Sequence, residues 1–131
     1  MKNKIYLALF SGMGDLLINK GLINYYSKLY KEINLFIFKD VKDFSKLLFK
    51  DINNLNLIIY PDNCEDITEI QDFIYSTIKN NELLYIGLIE TQTYLEENPN
   101  VQFDEAIYNL AKVPFIKRFD DFTLIENKKE Q

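Results

Sequence analysis

The chain has 131 residues, a net charge of −5, a single arginine, a single cysteine and no histidine. That length holds one domain with its own hydrophobic core, and the acidic balance speaks against a nucleic-acid binder, which needs a basic face. Without histidine, Ser-His-Asp and Cys-His nucleophile pairs are excluded and zinc loses a principal ligand, so acid–base chemistry falls to Asp, Glu, Tyr, Lys or Cys64.

Hydrophobic residues make up 47% of the chain, with nine tyrosines and ten phenylalanines, as a packed core requires. Residues 4–10 (KIYLALF) read as a buried first strand. This run leads into a glycine turn without a small-residue cleavage site, so it is read as a strand and not as a signal peptide. No apolar run approaches the roughly 18–20 residues that span a bilayer. A lone cysteine cannot form an intramolecular disulfide and fits a reducing compartment. The expected location is therefore cytoplasmic.

After Gly12, Gly14 and Asp15, residues 15–31 carry Ile18, Leu22, Tyr25 and Leu29 at helical spacing, with Lys20, Asn24, Lys28 and Lys31 opposite. Residues 33–38 (INLFIF) read as a second strand and 41–51 as a short helix. Residues 55–60 (LNLIIY) form a third strand, closed by the turn Pro61-Asp62-Asn63. Ile67, Ile70, Ile74 and Ile78 mark an amphipathic helix over 65–79, and 83–89 (LLYIGLI) a fourth strand. Residues 91–101 read as a loop, 103–113 as a helix stopped before Pro114, 122–126 (FTLIE) as a short strand and 127–131 as a polar tail. Fully apolar strands alternating with helices predict an α/β fold: a single Rossmann-like, doubly wound parallel sheet over residues 1–126.

Ligands of such sheets bind outside the carboxyl ends of the strands, near the switch point beside the first strand. Residues 11–15 lie at that address. Gly12 and Gly14 allow close backbone approach, and the following helix directs free N–H groups there. Asp15 has two readings, a helix cap or a base. The dinucleotide pattern G-x-G-x-x-G is incomplete, because Leu17 stands at its third glycine. Asp40, after the second strand, stands where a ribose-binding acid would.

The stretch SGMGDLLINKGLINYYSKLY, from Ser11 to Tyr30, resembles the first loop and helix of heptosyltransferase-like glycosyltransferases. The later FDEAIYNLAKVPFIKRFDDFTL, from Phe103 to Leu124, resembles the end of the N-terminal domain in related polysaccharide-synthesis enzymes. The resemblance implies the acceptor-binding, N-terminal half of a two-domain GT-B fold. It implies an inverting transfer from a nucleotide-sugar donor to a glycan or lipopolysaccharide-type acceptor, without metal or other cofactor. Asp15 matches the general base of that family. Ser11, Gly12, Met13 and Gly14 would form the wall beside the acceptor, and Asn19 and Lys20 are candidates for polar contacts, with a solvated helix face as the other reading. A donor-binding half is expected from a linker beginning near residue 127 or from a partner chain. Without it, a non-catalytic binding or scaffold remnant is the alternative, and a small dinucleotide-binding protein using Gly12, Gly14 and Asp40 a third. No nucleic acid is expected as a partner, and peripheral membrane association stays open.

Arg118 is a candidate for an acidic acceptor group or a member of a solvated charged loop with Lys117, Asp120 and Asp121. Cys64 reads as an inert thiol, Glu96 and Glu97 as solubilising, and tyrosines 25, 26 and 30 as packing.

Overall fold

The computed structural model describes residues 1–9 and 13–119, with residues 13–15 as backbone only. Strand β1 (Lys2–Leu9) leads to helix α1 (Met13–Ser27), then to β2 (Tyr30–Ile37) and a 3-10 turn over Lys39–Val41. Helix α2 (Lys42–Leu48), β3 (Leu55–Ile59), α3 (Ile67–Ile78) and β4 (Glu82–Ile86) follow, then α4 (Leu88–Glu97) and α5 (Phe103–Ala111).

All strand pairs are parallel and the sheet order is β3-β2-β1-β4. The chain winds outward from β1 to β3, then returns through α3 to the other side of β1. The expected α/β, Rossmann-like doubly wound fold is therefore present. Ile5 sits level with Ile33 and Leu7 with Leu35 across β1 and β2, while Leu9 pairs with Ile86 across β1 and β4.

Alternation along the strands divides the core in two. Ile5, Leu7, Leu9, Ile33, Leu35 and Ile37 face one side, where Leu16, Leu22 and Ile23 of α1 and Ile107 and Tyr108 of α5 cover them. Tyr6, Ala8, Phe36 and Tyr60 face the other side, under Ile74 and Ile78 of α3. This second layer is aromatic: Tyr60 stacks on Phe36 at 5.7 Å, and Phe73 meets both rings edge-on. Its polar member, Asn34, is buried but bonded, donating to Glu32 and accepting from Asn56.

Several boundaries differ from the sequence expectation. Helix α1 stops at Ser27, because the Asn54 side-chain amide donates to the carbonyls of Ser27 and Tyr30, 2.9 Å each, and Tyr30 already belongs to β2. Its buried stripe runs through Leu16, Asn19, Leu22 and Ile23, leaving Leu29 43% exposed. Residues 91–101 are not a loop throughout: β4 ends at Ile86, Gly87 caps α4, and the helix runs to Glu97. Thr91 anchors its first turn by donating to the Gly87 carbonyl at 2.9 Å. The strand expected over 122–126 and the tail 127–131 lie outside the described residues.

Candidate functional site

The carboxyl edge of the sheet gathers the ends of all four strands. At the switch point, β1 ends at Leu9 beside Ile86, the end of β4. Three residues separate Leu9 from the first residue of α1, so this helix starts at the same edge. Asp15 is its third residue. The first turn of a helix presents unpaired N–H groups at its positive end. Met13 and Gly14 belong to the same turn instead of a preceding loop, and Ser11 and Gly12 lie outside the described residues.

The other expected ligands are buried or paired, apart from Asp40, which stands at the carboxyl end of β2. Asn19 is not on a solvated face: it is 0% exposed, within the sheet-facing stripe, and its amide has no hydrogen-bond partner among the described residues. Lys20 extends toward the segment after α2, where its ammonium lies 3.7 Å from Asp51 and its side chain is only 11% exposed. Arg118 is neither a solvated loop charge nor an open anion site. Its Nε donates to Asp104 Oδ2 at 2.7 Å, with both side chains about four-fifths buried, and its guanidinium lies over the Phe119 ring. Asp40 is exposed in the 3-10 turn beyond β2. Tyrosines 25, 26 and 30 pack as expected, with Tyr26 donating to the Ala111 carbonyl and Tyr30 to Glu82.

On the α3 side of the same edge a cavity of about 240 Å³ opens. Ala8 and Leu9 of β1 and Tyr85, Ile86 and Gly87 of the β4 end form its floor. Phe38, Tyr60 and the α3 residues Ile67 and Ile70 wall it, and Leu88 stands at its side. Tyr60 is 7% exposed, and its ring centroid lies 4.7 Å from that of Phe38. Burial, with Tyr85 and Cys64 nearby, pushes its phenol well above the ordinary range, so it stays protonated. Gly87 is required by close approach. A Cβ there would come within 2.7 Å of Glu90 Oε1 and 2.9 Å of the Tyr85 ring.

The sequence expectation missed Tyr60, Tyr85 and Gly87 as site residues. The available signal was an aromatic at the last alternating position of the third strand and a glycine within the fourth apolar run. Cys64 donates to the Glu69 carbonyl at 3.7 Å. Burial, then the carboxylates of Glu69 and Asp66, raise its thiol above the usual range, consistent with the inert reading.

Among the described residues, no group of three or more His, Cys, Asp or Glu side chains comes together as metal ligands. None of the described helices is long and apolar enough to cross a membrane. Compared with protein-family models, curated proteins and solved structures, the chain matches none of them.

Proposed function

We propose that this chain is the acceptor-side, Rossmann-like half of an inverting glycosyltransferase. In this reading Asp15 takes the proton from an acceptor hydroxyl as that oxygen attacks the anomeric carbon of a nucleotide-sugar donor. The acceptor is a glycan or lipopolysaccharide-type sugar, and the setting is the cytoplasm, with peripheral association at a membrane surface where such acceptors are made. A second Rossmann-like unit, on the same polypeptide or a partner, would hold the donor.

One observation carries the reading. The sheet order β3-β2-β1-β4 makes the β1–α1 junction the switch point, and Asp15 lies in the first turn of α1. An ionised carboxylate there is ready to accept a proton once attack makes the hydroxyl more acidic. The resemblance of residues 11–30 and 103–124 to heptosyltransferase-like enzymes supports the same assignment.

The test is sugar transfer by the chain together with its donor-binding half. Asp15→Asn should lower kcat by about 10²–10⁴-fold, the usual contribution of a general base, while leaving acceptor affinity near its original value. Retained transfer in Asp15→Asn removes Asp15 as the base. A dinucleotide-binding reading has one observation in its favour, the exposed Asp40 just beyond β2. Calorimetric titration with NAD of the unaltered chain and of Asp40→Ala separates the two, since only the dinucleotide reading expects saturable heat that this substitution lowers.

A further inference from the structure

The cavity between α3 and the β1–β4 edge is unused by the glycosyl-transfer reading, which needs only the β1–α1 junction. Its size, chemistry and charge each limit what it can hold. An apolar cavity of about 150 Å³ accommodates benzene, and pockets for drug-sized ligands begin near 300 Å³. At about 240 Å³ it has room for one ring system and not for a dinucleotide. Aromatic walls at Phe38, Tyr60 and Tyr85 favour a flat occupant over a puckered one.

The hydroxyl of Tyr60 has no hydrogen-bond partner among the described residues, although the residue is 93% buried and lines the cavity. Tyr85 likewise brings a hydroxyl without such a partner, its ring set by the missing side chain of Gly87. Unlike the enclosed amide of Asn19, the Tyr60 hydroxyl keeps solvent contact, so an acceptor on an occupant would take the place of water on a donor that the protein leaves open. The surroundings also discriminate by charge. No lysine or arginine lines the cavity among the described residues, while Glu90 lies beside Gly87 and Asp66 caps α3 next to Ile67. Phosphates and carboxylates are therefore disfavoured.

We propose that this cavity binds one uncharged planar ring bearing a hydrogen-bond acceptor, held edge-on by the hydroxyls of Tyr60 and Tyr85. The inference goes beyond glycosyl transfer and does not depend on Asp15.

The probes are adenine, which is planar with acceptor nitrogens, indole, which is planar without one, and cyclohexanecarboxamide, which has an acceptor on a puckered ring. Each is titrated into the isotope-labelled 131-residue chain and followed by backbone amide shifts. Adenine should give saturable shifts centred on Gly87, Leu88 and Ile70, and the two controls should bind at least about fivefold more weakly. Tyr60→Phe should weaken adenine about two- to tenfold, the usual effect of one hydrogen bond, without lowering the melting temperature, because the lost hydroxyl has no protein partner. Leu88→Trp, at a 42% exposed position beside the cavity, should block binding and leave the fold intact. Absence of saturable shifts with adenine, equal affinity for indole, or unchanged affinity in Tyr60→Phe would each overturn the proposal. Shifts confined to the first turn of α1 would overturn it as well, by moving the ligand to the other side of the sheet edge.

Discussion

The hydroxyl of Tyr108 lies against Gly21 of α1, where a Cβ atom would stand 2.8 Å from it. That hydroxyl donates to the Ile18 carbonyl at 2.6 Å and accepts from the Leu22 amide at 3.1 Å. These are the two backbone groups that an α-helix pairs with each other, so the phenol enters the hydrogen-bond ladder of α1. The carbonyl of Lys117 approaches the same point so closely that a Cβ on Gly21 would overlap it. Helix α1, helix α5 and the segment after Pro114 are thus fastened at one residue. Through α1 this fixes the helix whose first turn carries Asp15.

Replacing Gly21 with alanine separates helix propensity from packing. In a free helix interior the change is favourable by about 1 kcal/mol. Here the new methyl would strike a backbone carbonyl and a buried hydroxyl, and neither is the end of a flexible side chain. Gly21→Ala should therefore destabilise by about 1–3 kcal/mol, read as a lower urea midpoint. A raised midpoint would show that the close approach is not maintained in solution.

Tyr108→Phe keeps the ring and removes the bridge. Leu22 N–H and Ile18 C=O would lose their partner inside a buried contact, which costs about 1–3 kcal/mol. Because the two groups can turn to each other and close an ordinary helical bond, the lower end of that range is expected. Urea unfolding should show a lower midpoint with an unchanged slope. No change would mean that the hydroxyl contributes nothing beyond the helical bond it displaces.

The strand–helix alternation and the parallel sheet were legible because apolar runs and the isoleucine spacing of α3 are strong local signals. The aromatic layer of Phe36, Tyr60 and Phe73 depended instead on register between strands and a helix. Helix α1 was less legible than the strands. Leu16, Leu17 and Ile18 stand in a row, so apolar residues point in several directions and the buried stripe was placed on Ile18 and Tyr25 instead of Leu16 and Ile23. Helix α4 was missed because Leu88 and Ile89 extend the apolar run of β4, while the later turns are polar and lie against α5. The fates of Lys20 and Arg118 depended on Asp51 and Asp104, partners 31 and 14 residues away that no local pattern reveals.

The Asp104–Arg118 pair should be energetically coupled, unlike an ordinary surface ion pair. Its 2.7 Å charge-assisted bond sits with side chains only 20% and 19% exposed. A double-mutant cycle with Asp104→Ala and Arg118→Ala should return about 1–2 kcal/mol of coupling. The cycle is needed because Arg118 also lies over the Phe119 ring, so its single substitution removes more than the ion pair. Coupling near zero would mean that the segment after Pro114 is held by other contacts.

Alkaline pH should weaken the fold through Tyr30. Burial, and then its 2.7 Å hydrogen bond to Glu82, push this phenol up to about 12 from the ordinary value of 10. Above pH 10 the unfolded chain releases a proton that the folded chain retains, so stability falls with rising pH between about 10 and about 12. Tyr60 and Tyr26, also raised by burial, add slope of the same sign. Tyr30→Phe should flatten part of that decline in urea midpoints measured across this window. An unchanged slope would assign the loss to the other tyrosines.

Asn19 offers a contrast between structural cost and function. Its amide is fully buried on the sheet-facing side of α1 without a partner among the described residues. A buried amide that finds no hydrogen bond costs about 1–3 kcal/mol. Leucine has the same branched heavy-atom skeleton with bulkier tips, better helix propensity and apolar neighbours such as Leu16 and Ile23 on the same stripe. Asn19→Leu should therefore raise stability by about 1–2 kcal/mol, seen as a higher urea midpoint. If sugar transfer depends on the β1–α1 junction through Asp15 alone, the same variant keeps its acceptor affinity. A fall in stability would instead show that the bulkier leucine does not fit between the helix and the sheet, and a fall in affinity with intact stability would return Asn19 to the acceptor site.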